Sequence, residues 1–343
     1  MFMAAPFGKS GVVTFLAPMQ DITDADFMQI VATRGAPDYF IAEYFRIHEF
    51  FEFEEHVLKA VLSKPGGRPV SAQFIGEDEN CILRAIKKLS KYPIDSLDLN
   101  LGCPAPKIYR KNVGGGLLRD LKKIRSLTRI MRDNWGGIFS VKMRIGFDSP
   151  ENFEDILSAV LDGSPDFITI HARTVKQLYR GDCDYSKIKK AVEISPVPVI
   201  ANGDITSAKK ALDVLKNTGC AGVMVGRHAV RNPWIFRQIS EALSSGKPYS
   251  PTLGEVRAYV EDLLKSVIAS SVRYPDSRMK KFLNFIGVAI DRDGAFLREM
   301  RLARGVPALM GVCDKFMLGA NENLPFPDEP YAGLCSRPNH ENK

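Results

Sequence analysis

SLDLNLGCPAPK, residues 96–107, is the stretch from which the rest of the chain can be read. Ser96 to Leu101 is an apolar-rich run of strand length, and Gly102, Cys103 and Pro104 then impose a tight, backbone-restricted turn. On either side lie ENCILRAIKKLSKY (79–92) and LKKIRSLTRIMRDNW (121–135), whose apolar residues recur at three- and four-residue spacing. Both predict amphipathic helices, so the strand is flanked by helices along the chain.

The same unit recurs in both directions. Candidate strands run from Val13 to Ala17, Tyr39 to Glu43, Val70 to Ile75, Ser96 to Leu101, Ser140 to Ile145, Phe167 to His171, Val197 to Asn202 and Ala221 to Gly226. Helical stretches such as NFEDILSAVLDG (152–163) and SAKKALDVLKNTG (207–219) separate them. Strands alternating with helices predict a parallel sheet, and eight such units predict an α/β fold, the (β/α)8 TIM barrel. Polar residues at strand ends then face one mouth, where such barrels place their chemistry.

After NPWIFRQISEALSSG (232–246) the pattern changes, because SSGKPYSP (244–251) is polar and punctuated by Gly and Pro. Residues 252–274, 278–290, 293–305 and 306–318 read as four helices of a small all-α bundle. We therefore expect a barrel over 1–245, a helical domain over 246–320 and an irregular tail over 321–343, which carries four prolines.

Composition suits this division: 45% of the 343 residues are hydrophobic and 25% charged, which allows a large packed core. Lys and Arg outnumber Asp and Glu by 47 to 40, so a polyanionic partner is compatible but not required. The six cysteines, at 81, 103, 183, 220, 313 and 335, form no C-x-x-C pair, which argues against a disulfide framework or structural zinc. The amino end, MFMAAPFGKSGVVTF, lacks the basic and long apolar segments of a secretory signal, and no stretch of about 18 apolar residues occurs. A cytoplasmic protein without membrane contact, and with no obligate protein partner evident, is expected.

Several strand ends carry chemistry. Cys103 stands on its rigid turn; an unpaired cysteine is usually a small core residue, but the strand-end position and the run GGGLL (114–118) favour a catalytic one. Gln73, Lys142, Arg144, His171 and Asn202 end other strands. A buried lysine needs an anionic partner, such as a ring or a phosphate. Gly203, Asp204 and Ser207 after the seventh strand, with Gly226 and Arg227 after the eighth, lie where many such barrels bind phosphate.

The chain resembles the dihydrouridine synthase family through LAPMQDITD (16–24), LNLGCPAPK (99–107), GGGLL, KMRIG (142–146), HARTVKQLYRG (171–181), IANGDI (200–205) and VMVGR (223–227), taken in order. The resemblance covers about residues 13 to 230. It implies an FMN enzyme of the bacterial type, with Pro18, Met19 and Gln20 lining the flavin, Gln73 and Lys142 reaching its ring, and His171 near it. It assigns the phosphate to Asn202, Gly203, Asp204, Gly226 and Arg227, and the proton donor to Cys103. Asn100 would hold the base or the turn. Gln20 and Asp21 are not the residues most familiar in the family after its Pro-Met pair.

The implied reaction is NADPH-driven reduction of the uracil 5,6 double bond of a tRNA uridine. An ordinary thiol, titrating at about 8.5, carries the required proton at neutral pH. The base must be extruded to reach the barrel, where Tyr179 and Arg180 could stack on it and touch its phosphate. Arg144 is a further candidate for substrate contact. Arg278, Lys280 and Lys281 belong to a basic set in the helical region that suits tRNA, although Asp291, Asp293 and Glu299 lie nearby. A flavin barrel acting on a small molecule, or an RNA-binding barrel without activity, are the alternatives.

Overall fold

A computed structural model describes residues 11–244, 246–334 and 336. Most of the amino-terminal segment considered above, Cys335 and the end of the tail lie outside the described residues. Eight strands, β1 (Val13–Leu16), β2 (Tyr39–Arg46), β3 (Val70–Ile75), β4 (Ser96–Leu101), β5 (Ile138–Arg144), β6 (Phe167–His171), β7 (Val199–Asn202) and β8 (Gly222–Val225), pair in parallel and close into a barrel in chain order. All eight expected strands form. β5 starts before the expected Ser140 because Ile138 is already paired with Ser96.

Between strands run α1 (Ala25–Gly35), α2 (Glu55–Leu62), α3 (Glu79–Leu89), α4 (Pro106–Tyr109), α5 (Leu121–Asn134), α6 (Phe153–Leu161), α7 (Tyr185–Ile194) and α8 (Ala208–Thr218). Capping residues fix two of the starts: Asp78 accepts from Cys81 N at 2.8 Å and Asp120 from Lys123 N at 3.0 Å.

The period-two alternation of a strand sorts each sequence between barrel interior and helical layer. The interior begins as an apolar floor of Phe15, Ile41, Ile138, Phe167, Ile200 and Met224. On the same faces, nearer the carboxyl ends, stand Ser140 and Lys142 above Ile138, Thr169 and His171 above Phe167, and Asn202 above Ile200. The floor supplies hydrophobic burial, while the polar side chains collect at the mouth.

The chain divides into two compact units, the first comprising the described residues up to Met28 together with 37–205 and 213–225. The second takes 29–36, 206–212 and the described residues from Gly226 onward. It contains α9 (Arg227–Arg231), α10 (Ile235–Leu243) and four further helices, α11 (Leu253–Ala269), α12 (Pro275–Ile286), α13 (Ala295–Leu302) and α14 (Gly305–Met317). The last four match the expected helices. Thr252 and Glu255 form a reciprocal capping box at α11, and the tail is pinned there by Leu253 N donating to Leu324 O at 2.9 Å. Buried Arg231 donates to Pro327 O and Thr206 O, so the irregular tail is held by its own backbone carbonyls.

Candidate active site

Cys103 sits half-buried just beyond β4 on a turn whose backbone groups are individually engaged. Asn100 Oδ1 accepts from Gly102 N at 3.0 Å and from Cys103 N at 2.9 Å. Arg144 Nε donates to Gly102 O at 3.0 Å, and Gly115 N to Cys103 O at 3.2 Å. The glycine run thus has a mechanical reason: a Cβ on Gly115 would lie 2.8 Å from Cys103 O and 2.6 Å from Val175 Cγ2. With these backbone groups partnered, the turn presents the thiol from a fixed place.

Behind the turn lies a buried polar chain. Asn100 Nδ2 donates to Gln73 Oε1 at 2.8 Å, and Gln73 Nε2 donates to Asp98 Oδ2 at 2.7 Å. Ser140 Oγ donates to the other Asp98 oxygen at 2.5 Å. Burial pushes the Asp98 carboxyl up to about 7, against the opposing pull of these bonds and of Lys142. Burial and then the charge of Arg144 pull Lys142 down to about 8, while Asp98 and Cys103 act the other way. Among the described residues the Lys142 ammonium makes no ion pair or hydrogen bond, and Thr169 Oγ1, opposite it on β6, is buried without a partner. Gln73 keeps one N–H and one lone pair beyond its bonds to Asp98 and Asn100. The mouth therefore offers a cation, a donor and an acceptor to a bound molecule.

The loop after β6 is built around two buried arginines. Arg144, 1% exposed, reaches from β5 to donate through Nη1 to Thr174 O at 2.8 Å and Leu178 O at 2.7 Å. Its guanidinium lies 5.5 Å from the Tyr179 ring, which is 6.2 Å from the His171 ring. Arg173 donates to Arg180 O at 3.2 Å and to Gly181 O, and it pairs with the Asp204 carboxylate. The side chain of Tyr179 is half-buried and that of Arg180 exposed.

Beyond β7, Gly203 has φ +113°, and a Cβ there would lie 2.7 Å from Cys183 Sγ and 2.8 Å from His171 Cδ2. Tyr185 donates its hydroxyl to Gly203 O. The side chain of Asn202 donates to Met224 O at 2.8 Å. The Asp204 carboxylate is engaged by Arg173. Beyond β1, Pro18 and Met19 are half-buried and Gln20 is exposed, with Gln20 Oε1 accepting from Tyr44 OH at 3.2 Å. Tyr44, pushed up to about 12 by burial and then by the neighbouring Cys103, was not among the expected residues.

Gly226 and Arg227 belong to the second unit, as do Arg278, Lys280 and Lys281 of α12. Lys280 Nζ donates to Arg301 O at 3.0 Å and Ala303 O at 2.6 Å, at the carboxyl end of α13. Sequence reasoning missed Asp98, Tyr44 and Arg173. Only Asp98 left a usable trace, since it shares the parity of Ser96 and Asn100 along β4.

Two solved structures resemble the barrel: histamine dehydrogenase from Rhizobium sp. 4-9, with a TM-score of 0.51 at 12% identity, and an amine oxidase from Pseudomonas geniculata N1, with 0.52 at 11%. Each match covers 67% of this chain; the chain spans 45% of the first structure and 47% of the second. At that identity they speak for the fold. Among sequences, a probable tRNA-dihydrouridine synthase of Helicobacter pylori is 36% identical over 228 residues, covering 66% of this chain and 69% of the relative. A tRNA-dihydrouridine synthase B of Serratia marcescens is 34% identical, covering 70% and 72%. A tRNA-dihydrouridine(16) synthase of Neisseria meningitidis is 26% identical but covers 88% and 93%. The model of the family described as dihydrouridine synthase (Dus) matches residues 15–285, a span that includes the Cys103 turn, the polar barrel mouth and the start of the helical region. This chain belongs to the dihydrouridine synthase family.

Proposed function

We propose that the protein is a flavin-dependent reductase of a uridine in tRNA, with Cys103 as its proton donor. The observation that carries this reading is the Cys103 turn, held by Asn100, Arg144 and Gly115 at a mouth that also presents Lys142. The cofactor is FMN and the reductant NADPH. The mouth suits a flavin ring because the Lys142 ammonium, Thr169 Oγ1 and the remaining Gln73 valences need a polar, electron-rich partner. When bound, the flavin supplies a hydride to carbon 6 of uracil, having received it from NADPH.

The chain's own residues do the rest. Gln73 and Lys142 hold the ring edge, Lys142 by keeping a positive charge beside it, and His171 flanks it. Pro18, Met19 and Gln20 line the flavin. Asn202, Gly203 and the backbone of Asp204 receive the phosphate; Gly226 and Arg227 are proposed separately as phosphate ligands. Cys103 delivers its proton to carbon 5 from the face opposite the hydride. The base is extruded into the barrel, with Tyr179 against it and Arg180 at its phosphate. Catalysis thus falls to 1–245 and tRNA docking to 246–320 through residues such as Arg278, Lys280 and Lys281, followed by an irregular tail from 321. Among the described residues no helix is long and apolar enough to cross a membrane. The reaction belongs in the cytoplasm with its tRNA.

The test is a single-turnover assay. Protein loaded with FMN should be bleached by NADPH and reoxidised by an unmodified tRNA transcript, with dihydrouridine appearing by mass spectrometry. Bleached protein that ignores tRNA yet reduces a small enone would replace this reading with a small-molecule reductase.

A further inference from the structure

Asp98 has no part in the reaction just described, yet it is the interior anchor of the residues that hold Cys103. It sits in mid-β4, completely buried, and among the described residues no cation pairs with it. From β3 it faces neutral Gln73, and from β5 neutral Ser140 and, further off, charged Lys142. Ser96 and Asn100 share its own strand face. Burying a carboxylate this way is costly, and two neutral donors offset only part of the cost.

What the carboxylate provides is direction. A side-chain amide fits nearly the same space after a 180° flip, so two amides in series have no preferred polarity of their own. Here the chain ends in an acceptor-only group, ionised Asp98, and in donor-only groups, the N–H bonds of Gly102 and Cys103. Asp98 takes the Gln73 N–H, which turns Gln73 Oε1 toward Asn100. Asn100 must then present its N–H to Gln73 and its Oδ1 to the turn. With a neutral acid or amide at 98 the opposite flip is also allowed, and in that state Asn100 faces the turn with a donor against two donors. The charge-assisted first bond is about twice as strong as a neutral one, which selects the native polarity.

We propose that ionised Asp98 is a positioning residue, setting the orientation of the Gln73 and Asn100 amides and through them the backbone of the Cys103 turn. The catalytic importance of that turn rests on the reading of Cys103 as proton donor; the orientation itself does not. Since burial already lifts the Asp98 carboxyl to about 7, mild acidification reaches it in the intact protein.

The experiment reads the turn directly, by hydrogen exchange of the Gly102 and Cys103 amides in the FMN-loaded protein. Asp98→Asn should lower their protection by about 10-fold, the loss of one charge-assisted bond. Compared above about pH 8, where Asp98 stays ionised in the parent and the loss of one neutral donor is offset by the alkaline pH, Ser140→Ala removes a bond to the same carboxylate outside the chain to Cys103 and should leave protection within about 2-fold of the parent. Equal protection in Asp98→Asn and the parent, or equal losses in both variants, overturns the proposal. Should Asp98→Asn not fold, the parent decides: protection corrected for intrinsic exchange should fall between pH 8 and pH 6, and a constant value overturns the idea. If Cys103→Ala still forms dihydrouridine while exchange behaves as expected, the proton-donor reading fails and the positioning role stands.

Discussion

Asn100 holds Cys103 by its backbone, with Oδ1 2.9 Å from the Cys103 nitrogen and 3.0 Å from that of Gly102. Removing the thiol and removing its support should therefore look different. Cys103→Ala should keep flavin and NADPH oxidation but lose tRNA reduction by about 100-fold or more, as expected for a missing general acid. Asn100→Ala keeps the thiol but strands two N–H groups, at about 1–3 kcal/mol of stability. Denaturant titration beside single-turnover kinetics distinguishes them; an Asn100→Ala protein as stable as its parent contradicts the geometry.

Asp98 should leave a signature in stability against pH. In the folded protein its carboxyl titrates at about 7, whereas an unfolded Asp titrates at about 3.9. Between those values the folded chain holds more protons, so this group's contribution falls as pH rises and is flat above about 7. The gap between the folded and unfolded values corresponds to roughly 4 kcal/mol as an upper bound. Urea unfolding at several pH values should show a shallower decline between about pH 4 and 7 in Asp98→Asn. Parallel curves for both proteins would remove Asp98 as the source.

Lys142 runs the other way. Burial sets it at about 8, so its charge is present at neutral pH and lost as pH rises through that value. The unfolded lysine titrates at about 10.4, so between the two the unfolded chain binds more protons and this group's contribution to stability rises with pH. Flavin reduction by NADPH should decline above about pH 8 in the parent, while Lys142→Met should be slow throughout and lack that inflection. An inflection retained in Lys142→Met assigns it to another group.

The barrel and the four carboxyl-terminal helices are legible because strand and helix alternate without long interruptions and each signal is local. Cys103 is legible because Gly102 and Pro104 mark its turn. Asp98 is not: flanked by Leu97 and Leu99 it reads as one polar residue in a strand, and its meaning appears only when β3 brings Gln73 and β5 brings Ser140. The bonds of Arg144 are hidden for a related reason. A charged residue at a strand end points toward substrate by default, but three of its bonds go to carbonyls that arrive from loops distant in sequence.

That occupancy makes Arg144 a test of loop coupling. Its Nε reaches Gly102 and its Nη1 reaches Thr174 and Leu178, so one planar group ties the Cys103 turn to the loop bearing Tyr179. A lysine ammonium cannot span both sides. Arg144→Lys should cost about 2 kcal/mol of stability, from buried carbonyls left without donors. It should also raise the KM for tRNA more than that for NADPH. Equal changes in both constants would mean that the loop does not meet the RNA.

Lys280 and Lys281 are adjacent in α12 yet should respond differently to charge reversal. Lys280 lies against the carboxyl end of α13, where its ammonium meets the Arg301 and Ala303 carbonyls and the negative end of the helix dipole. Lys280→Glu replaces that cap with a repulsive charge, so thermal stability should fall along with tRNA affinity. Lys281 is exposed. Lys281→Glu should lower the melting temperature less than Lys280→Glu does and weaken tRNA binding, lowering the slope of log affinity against log salt by about one counterion. Binding measured over a salt series separates the cases. If Lys281→Glu binds tRNA with the parent's slope, its part of α12 does not contact RNA, and docking must run through other basic residues.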